Sequence, residues 1–300
     1  MKCTAHIALF ILLGPLLVGI VRKTKAFLSC RQGAPVSQPY LDLWKLFRRG
    51  IVRSTTASWV FDLSAPVVLG ASLVLAAATP LGSREVPLPM HFILFLYLMA
   101  LPRFFQTLAG LDTGSAFGGL GSSREVAVSA MAEPALILAF CGLAYLGGAD
   151  TVSGMIGGIP AGRVHLRPEV ILLAGTLFLL LLAENARIPV DDPATHLELT
   201  MIHEAMVLDH AGVDLAMIQL ASGIRLVLFS ALVSGTLFPA ALSLPPLLAI
   251  PAAAAKLVLS GCLVGATEAG MARMKISRIA SYLLIAVVLA SIALAVRYAG

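Results

Sequence analysis

Eight long apolar stretches run through this sequence, and they constrain its fold more than any other feature. One of them, "ILLAGTLFLLLLA" at residues 171–183, contains no charged side chain. A helix needs about 20 mostly apolar residues to cross the hydrocarbon core of a bilayer. The stretches are continuous, unlike the alternating strands of a membrane barrel, so we expect helices that satisfy their own backbone hydrogen bonds. The sequence therefore predicts an all-α, polytopic membrane helical bundle.

Composition agrees with about eight transmembrane helices. With 59% hydrophobic residues, 12% charged residues and a mean hydropathy of +0.94, the chain is unlike a soluble domain. Polar residues interrupt the fourth and seventh spans, which leaves seven or nine spans as alternatives. No polar linker is long enough to separate two domains, so residues 1–300 are expected to form a single integral membrane domain. The expected spans are residues 4–21, 60–79, 90–109, 126–147, 168–184, 216–237, 244–266 and 279–297.

Basic residues indicate the orientation of the bundle. Most of the 21 Lys and Arg residues are counted on one side: those in residues 22–59, Arg103 near the end of the third span, Arg124, Arg187 after Glu184, and those in residues 271–278. Cytoplasmic loops carry this excess in membrane proteins. Both termini are therefore predicted on the non-cytoplasmic side, and the net charge of +5 needs no nucleic-acid partner.

One segment on the predicted cytoplasmic side has the pattern of a surface helix. In "YLDLWKLFRRGIV", residues 40–52, apolar side chains recur at spacings of three, three and four, with basic side chains on the complementary face. This pattern predicts an amphipathic cytoplasmic helix. The apolar positions are Leu41, Trp44, Phe47 and Ile51, and the basic ones are Lys45, Arg48 and Arg49.

Acidic residues within or at the edge of the spans are the unusual chemical feature. Glu133 lies inside the fourth span, Glu184 ends the fifth and Glu268 ends the seventh. A carboxylate in hydrocarbon is costly unless it is paired, hydrated or protonated, so such residues often belong to proton or ion pathways. The alternative is a structural carboxylate paired with an arginine, for which the candidates are Arg124, Arg187 and Arg225.

The segment "ENARIPVDDPATHLELTMIHEAMVLDH", residues 184–210, contains three histidines but does not predict a metal site. In a single helix from Pro193 they would lie seven residues apart, about 10.5 Å along the axis, which is too far for two imidazoles to share a metal ion. "HEAMV" also lacks the second histidine of H-E-x-x-H. The segment is expected to be a hydrated row of proton-exchanging groups or a docking surface for a soluble subunit. The histidines are His196, His203 and His210.

The prolines of the same segment suggest its local structure. Pro189 and Pro193 break a helix, and Asp192 is placed to cap a helix that begins at Pro193. Arg187 is expected to pair with Asp191 or Asp192.

The sequence contains no motif of a catalytic or cofactor centre. It has no P-loop, no convincing dinucleotide fingerprint and no nucleophile elbow, and its four cysteines lack C-x-x-C spacing. No catalytic, cofactor-binding or metal-ligating residue is expected in this chain, so any redox centre must belong to another chain.

Three motifs together resemble the complex I subunit 1 family, and specifically its hydrogenase branch of the formate hydrogenlyase type. They are "RQGAPVSQPYLDLWKLFRR", "LAGLDTGSAFGGLGSSREVAVSAMAEP" and "ENARIPVDDPATHLELTMIHEAMVLDHAG", and the resemblance covers essentially the whole chain. It implies a subunit at the heel of a larger complex in a prokaryotic inner membrane. The implied partners are a NiFe-hydrogenase-like large subunit, iron–sulfur subunits and antiporter-like membrane subunits. The NiFe centre and the iron–sulfur clusters would lie in those partners.

The residues and the resemblance together give the expected roles. The family's E-x-x-R-x-P-x-D-x-P pattern and the glutamate five residues later match Glu184, Arg187, Pro189, Asp191, Pro193 and Glu198, and the preceding motif matches Arg124 and Glu133. A proton pathway is assigned to Glu133, Glu184, Asp191, Asp192, Glu198, Glu204 and Glu268. Structural ion pairs are assigned to Arg124 and Arg187, and subunit docking to Arg31, Arg48, Arg49, His203 and Asp209.

The favoured hypothesis is a non-catalytic membrane subunit of a complex I-like NiFe hydrogenase, which couples electron transfer in a soluble arm to proton or sodium movement. The alternative is a quinone-site membrane subunit of a NADH:quinone oxidoreductase. The run "DDPATHLELTMIHE" replaces a more glutamate-rich run of quinone-reducing members and counts against that alternative. A stand-alone secondary transporter is the third hypothesis, although the sequence shows no inverted repeat.

Overall fold

Helices form the framework of the computed structural model, which describes residues 2–54, 56–82, 85–159, 167–192, 201–239 and 246–299. Within these ranges the α-helices are α1 (Lys2–Leu28), α2 (Gln38–Phe47), α3 (Trp59–Ala78), α4 (Phe92–Asp112), α5 (Ala116–Gly147), α6 (Val152–Gly158), α7 (Pro168–Glu184), α8 (His203–Val207), α9 (Gly212–Leu237), α10 (Pro246–Gly270) and α11 (Ile276–Ala299).

Long helices lie at every predicted span, which confirms the polytopic helical bundle. Seven helices of the described chain are long and apolar enough to cross a bilayer. The other predicted span is α7, whose 17 residues lie at the lower end of the roughly 17–25 residues that spanning helices use.

The helix α5 begins earlier than predicted, at Ala116 rather than at residue 126. The Ser115 side chain accepts a hydrogen bond from the backbone N–H of Gly118 and so caps the helix. The glycines of this segment lie within the helix and lack a side chain, which allows a neighbouring helix to come close. Gly118 lies against the backbone of Gly110 in α4. The segment therefore continues the transmembrane helix rather than forming a loop.

The helix α9 occupies the centre of the bundle. Most of its residues are buried, and it packs against α1, α3, α7 and α10. Gly14 of α1 and Gly223 of α9 bring two backbones together, because a Cβ on either residue would lie 3.1 Å from the backbone of the other. The outer helices present apolar side chains to the lipid, among them Leu94 of α4 and Leu284 of α11.

The two ends of the bundle differ in chemistry. At one end, which we call the basic end, α1, α4, α7 and α10 terminate, and both α2 and α8 lie there. Contacts between loops bind this end together; for example, the Met274 N–H donates to the Pro189 carbonyl oxygen. At the opposite end, the Phe92 N–H donates to the Asp150 carbonyl oxygen, and the His6 ring contacts the carbonyl oxygen of Ala76.

The predicted amphipathic helix is α2. Its buried Pro39 faces the bundle, and the Tyr40 hydroxyl donates to the Leu12 carbonyl oxygen of α1. Trp44 is exposed on the other face, and the Arg48 guanidinium lies over its ring, 4.4 Å from the centroid. An apolar face with a cationic rim suits the boundary between hydrocarbon and water.

Candidate functional site

Buried charged side chains concentrate at the basic end and in the membrane beneath it. They form two groups that share the segment between α7 and α8. The inner cluster consists of Arg103, Glu125, Glu184 and Arg225. The outer cluster consists of Lys25, Arg187, Asp191, Asp192, Glu268 and Arg273.

The inner cluster joins four transmembrane helices. Arg103 of α4 pairs with Glu184 at the end of α7, and its Nε lies 3.6 Å from Oε1 of Glu125 in α5. Arg225 of α9 interacts electrostatically with both Arg103 and Glu125. Only 8% of Glu184 and 9% of Arg103 is exposed. Charges so far from water persist only when each has a partner, so these residues act as a unit.

Four buried polar atoms in and beside the inner cluster have no hydrogen-bond partner within the described ranges: Gln106 Nε2, Glu184 Oε1, Asn185 Oδ1 and Arg225 Nε. An unpartnered buried polar group costs about 1–3 kcal/mol, and buried water commonly satisfies such groups. Water bound at the inner cluster would supply the partners that these atoms lack within the described ranges.

The outer cluster ties α1 and α10 to the segment after α7. Glu268 Oε1 lies 3.3 Å from Nη1 of Arg187, and Glu268 Oε2 lies 3.6 Å from Nζ of Lys25. The same Lys25 Nζ lies 3.8 Å from Oδ1 of Asp192. Glu268 is only 5% exposed, so a movement of this segment would change the surroundings of a buried carboxylate.

Asp191 organises the backbone that leads into α8. Its Oδ1 accepts from the N–H of Asp192 at 2.9 Å, and its Oδ2 accepts from the N–H groups of Ile202 and His203 at 3.3 and 3.0 Å. Arg273 lies 2.9 Å from Oδ1. With 2% exposure and this set of donors, the carboxylate fixes the start of α8.

The predicted pairing of Arg187 with Asp191 or Asp192 is wrong. Arg187 pairs with Glu268. Arg273 pairs with Asp191, and Lys25 lies at ion-pair distance from Asp192. The prediction considered neighbours in the sequence alone. The observed partners come from helices that only the fold brings together.

Arg103 is the central residue that sequence reasoning missed. The sequence suggests a basic loop for it, whereas the structure buries it inside α4 as the partner of Glu184. A signal was present, because the predicted span 90–109 contains this arginine and a buried arginine needs an acidic partner. Arg124, expected in an ion pair, donates from Nη1 to the Met201 carbonyl oxygen at 3.0 Å, and the described residues show no ion pair for it.

The described part of this segment does not continue as one helix to His210. His203 begins α8, which ends at Val207, and the His210 N–H donates to the Val207 carbonyl oxygen in a turn. The chain enters α9 through Gly212, whose φ of +57° is a conformation that favours glycine. Residues 193–200 lie outside the described residues, and with them His196, Glu198 and the helix expected after Asp192.

The two histidines that the structure describes in this segment are neutral near physiological pH. Burial, with Arg225, Arg103 and Arg187 nearby, lowers the pKa of His203 to about 3. Burial also lowers the pKa of His210 to about 4, and its ring stacks on Phe61 with 4.1 Å between centroids. Neither imidazole therefore contributes a positive charge to the basic end.

The remaining predicted site residues lie at several surfaces. Arg48 and Arg49 are exposed beside α2, and exposed Asp209 accepts from Ser115 Oγ at 2.9 Å. Glu133 is exposed on the lateral face of α5, where it interacts electrostatically with Arg103.

A cavity of about 570 Å³ opens beside α1, α2 and α9. The outer cluster contributes Lys25, Arg187 and Glu268 to its inner wall, together with His203 and Glu204. Apolar residues of α1, α2 and α9 line part of the cavity, and polar residues such as Arg22, Arg31 and Gln219 complete the lining. The cavity thus connects the outer cluster to the region between α1 and the surface helix.

Comparisons with known proteins agree on one family. Residues 1–299 match the family described as NADH dehydrogenase. Hydrogenase-4 component C of Escherichia coli is 32% identical over 78% of this chain and 74% of its own length. Formate hydrogenlyase subunit 4 of the same organism is 40% identical over 47% of each chain. A membrane-complex relative from Anaplasma phagocytophilum, one of the subunits of its NADH-quinone oxidoreductase, is 26% identical over 72% of this chain and 69% of its own length.

A solved structure has the same fold. It is the membrane-bound sulfane sulfur reductase, an archaeal respiratory membrane complex, one chain of which superposes with a TM-score of 0.83 at 19% sequence identity. The match covers 97% of this chain and 98% of that chain.

Proposed function

The chain belongs to the NADH dehydrogenase family, that of complex I subunit 1, and is a complex I-like membrane subunit; on that premise we propose that it couples ion movement in a membrane-bound NiFe hydrogenase of the formate hydrogenlyase type. The relatives named hydrogenase-4 component C and formate hydrogenlyase subunit 4 support the hydrogenase branch. The NiFe centre and the iron–sulfur clusters belong to partner subunits in this proposal.

The observation that carries the proposal is a series of charged groups that runs from the basic end into the membrane. Glu268 and Arg187 stand at the basic end, Glu184 and Arg103 follow in the inner cluster, and Glu133 lies beyond them on the lateral face of α5. In a bilayer such carboxylates commonly serve proton or ion movement. In this proposal the series links the surface where soluble subunits dock to the surface where another membrane subunit packs.

Coupling in this proposal depends on the short connection between the clusters. Glu184 and Arg187 are three residues apart in the sequence, so a movement of the segment between α7 and α8 reaches both. If docking or redox change in a soluble subunit displaces Arg187, the surroundings of Glu184 change and with them its proton affinity. Asp191 keeps the segment in place, which is a positioning role rather than a proton-carrying one.

Docking in this proposal involves the basic end. Exposed Arg48 and Arg49 lie there beside α2, and exposed Asp209 lies near the start of α5. These residues offer both signs of charge to a soluble partner, which favours a defined orientation of the partner. The basic end is cytoplasmic, and the termini are non-cytoplasmic, in this proposal.

The direct test is the removal of charge at two carboxylates. We expect Glu133→Gln and Glu184→Gln to lower ion movement per turnover by on the order of tenfold or more, while the complex stays assembled. Hydrogen evolution and ion uptake are measured together in vesicles that contain the complex. Glu85→Gln, at an exposed position of the opposite end, is the matched control. Normal ion movement in both variants would rule out an obligatory protonation of these residues.

The cavity favours one second candidate, a quinone-site subunit of a NADH:quinone oxidoreductase, because its volume suits a small molecule. The large subunit encoded with this chain separates the two candidates. Paired C-x-x-C motifs for nickel in that subunit support the hydrogenase, and their loss supports the quinone reductase. A chain that purifies alone and transports a solute in liposomes would contradict both.

A further inference from the structure

The cavity beside α1 is lined by charged residues that do not belong to the outer cluster. Its volume of about 570 Å³ lies within the roughly 300–1,000 Å³ of small-molecule sites. One wall belongs to the outer cluster, and the opposite wall is formed by α1 and the surface helix α2. The cavity therefore lies where the bundle meets the bilayer surface.

Carboxylates, Glu204 among them, line the interior of the cavity, whereas basic residues prevail at its opening. The interior carboxylates of Glu268 and Asp191 each contact basic partners. At the opening, the Arg22 side chain is 57% exposed and lies 3.8 Å from Asp42. Arg31 is exposed there too and forms no ion pair with any residue that the structure describes. At the opening, the two arginines exceed Asp42 by one positive charge.

Along α1 the lining changes from charged to apolar. Val18 and Pro15 line the cavity four and seven residues before Arg22, which corresponds to about 6 and 10 Å toward the bilayer centre. Leu43 of α2 contributes to the same apolar part. This order, cationic at the surface and apolar below, is the order of headgroup and acyl chain in a phospholipid, and basic clusters at a cytoplasmic surface attract anionic lipids.

We propose that the cavity binds one anionic phospholipid. Its phosphate contacts Arg22 and Arg31, and one acyl chain lies along Pro15, Val18 and Leu43. The lipid fills the space between α1 and α2 and holds the surface helix against the bundle. The proposal takes the cytoplasmic orientation of the basic end from the proposed function and is otherwise independent of ion coupling.

The test compares lipid binding by the assembled complex in detergent. After delipidation, the complex is titrated with mixed micelles of phosphatidylglycerol or phosphatidylcholine, and bound lipid is counted by mass spectrometry. We expect selective binding of phosphatidylglycerol, and about 30-fold weaker binding by the double variant Arg22→Gln/Arg31→Gln, since each basic residue near a membrane surface contributes roughly a fivefold factor. The control is Lys275→Gln/Arg278→Gln, which removes two exposed basic residues outside the cavity.

A second variant tests the acyl-chain part of the site. Val18→Phe leaves every charge in place and fills the apolar part of the cavity, so we expect it to weaken phosphatidylglycerol binding as well. A simple anion site would bind inorganic phosphate equally well in Val18→Phe, and that result overturns the proposal. Equal binding of the two lipids, or a co-purified quinone in the cavity instead of a lipid, also overturns it. If the double arginine variant does not assemble, the preference of the unaltered complex for phosphatidylglycerol over phosphatidylcholine tests the proposal.

Discussion

Arg103 shows how one side chain determines the environment of two buried carboxylates. Within the described residues, it is the cation at ion-pair distance from both Glu184 and Glu125. All three lie in transmembrane helices, where an uncompensated charge is far more costly than at a protein surface. Removal of Arg103 leaves the buried charges of Glu184 and Glu125 without this cation. Removal of one of these carboxylates in addition lowers the free-energy cost, because one fewer unpaired charge stays buried.

We therefore expect Arg103→Met to destabilise the protein by about 3–5 kcal/mol, the usual cost of breaking a buried ion pair. The double variant Arg103→Met/Glu184→Gln should recover part of that loss, because the unpaired carboxylate of Glu184 is gone. Thermal unfolding of the detergent-solubilised subunit measures both. Identical melting of the single and double variants would show that the two residues are not energetically coupled.

The histidines give a prediction about pH. The folded-state pKa values of His203 and His210, about 3 and about 4, lie below the ordinary value of about 6.5. The unfolded chain therefore binds protons that the folded chain does not as the pH falls below about 6.5, and stability falls with it. These two residues have no such effect above that pH.

Unfolding midpoints between pH 7.5 and pH 4.5 test this expectation. We expect the variant His203→Gln/His210→Gln to lose less stability on acidification than the unaltered protein does. The difference should develop below about pH 6.5 and grow toward pH 4.5. Parallel pH curves for the two proteins would contradict the burial of the imidazoles.

At the scale of the element, α2 joins the membrane surface to the bundle. Pro39 and Tyr40 attach one face to the bundle, while Arg48 stacks on Trp44 at the exposed face. A helix attached on one side and exposed on the other can contact lipid and a soluble partner together.

We expect Arg48→Glu/Arg49→Glu to weaken attachment of the soluble subunits, because two exposed positive charges become negative beside an anionic membrane surface. The measurement is the fraction of the large subunit that stays on membranes after washes of increasing ionic strength. Lys275→Glu/Arg278→Glu, a matched reversal at another exposed part of the basic end, should have a smaller effect. Unchanged retention in the first variant would remove these arginines from the docking surface.

The elements were largely predictable from the sequence, and their contacts were not. Lipid demands long apolar runs, so hydropathy predicted the long helices, and a helical period of apolar residues predicted α2. Which residues face each other depends on how each helix is rotated about its axis. Arg103 and Glu184 belong to helices far apart in sequence, so the inner cluster could not be found from spacing within one segment.

At the scale of the whole molecule, two natural cysteines report on orientation. Cys3 and Cys30 are exposed and lie near opposite ends of α1, which is long enough to cross a bilayer. We expect a membrane-impermeant maleimide to label Cys3 in spheroplasts, and Cys30 only in inverted vesicles washed free of soluble subunits. Cys3→Ser and Cys30→Ser are the controls. Labelling of Cys30 in intact spheroplasts would reverse the proposed orientation.

The exposed position of Glu133 has a consequence for biosynthesis. On a newly inserted copy this carboxylate faces lipid on the side of α5, without an ion-pair partner among the described residues. Membrane insertion tolerates such a group poorly, so we expect a copy without its neighbours to be less stably inserted than the assembled subunit. A membrane partner that packs against α5 would then stabilise the inserted subunit by covering this one carboxylate.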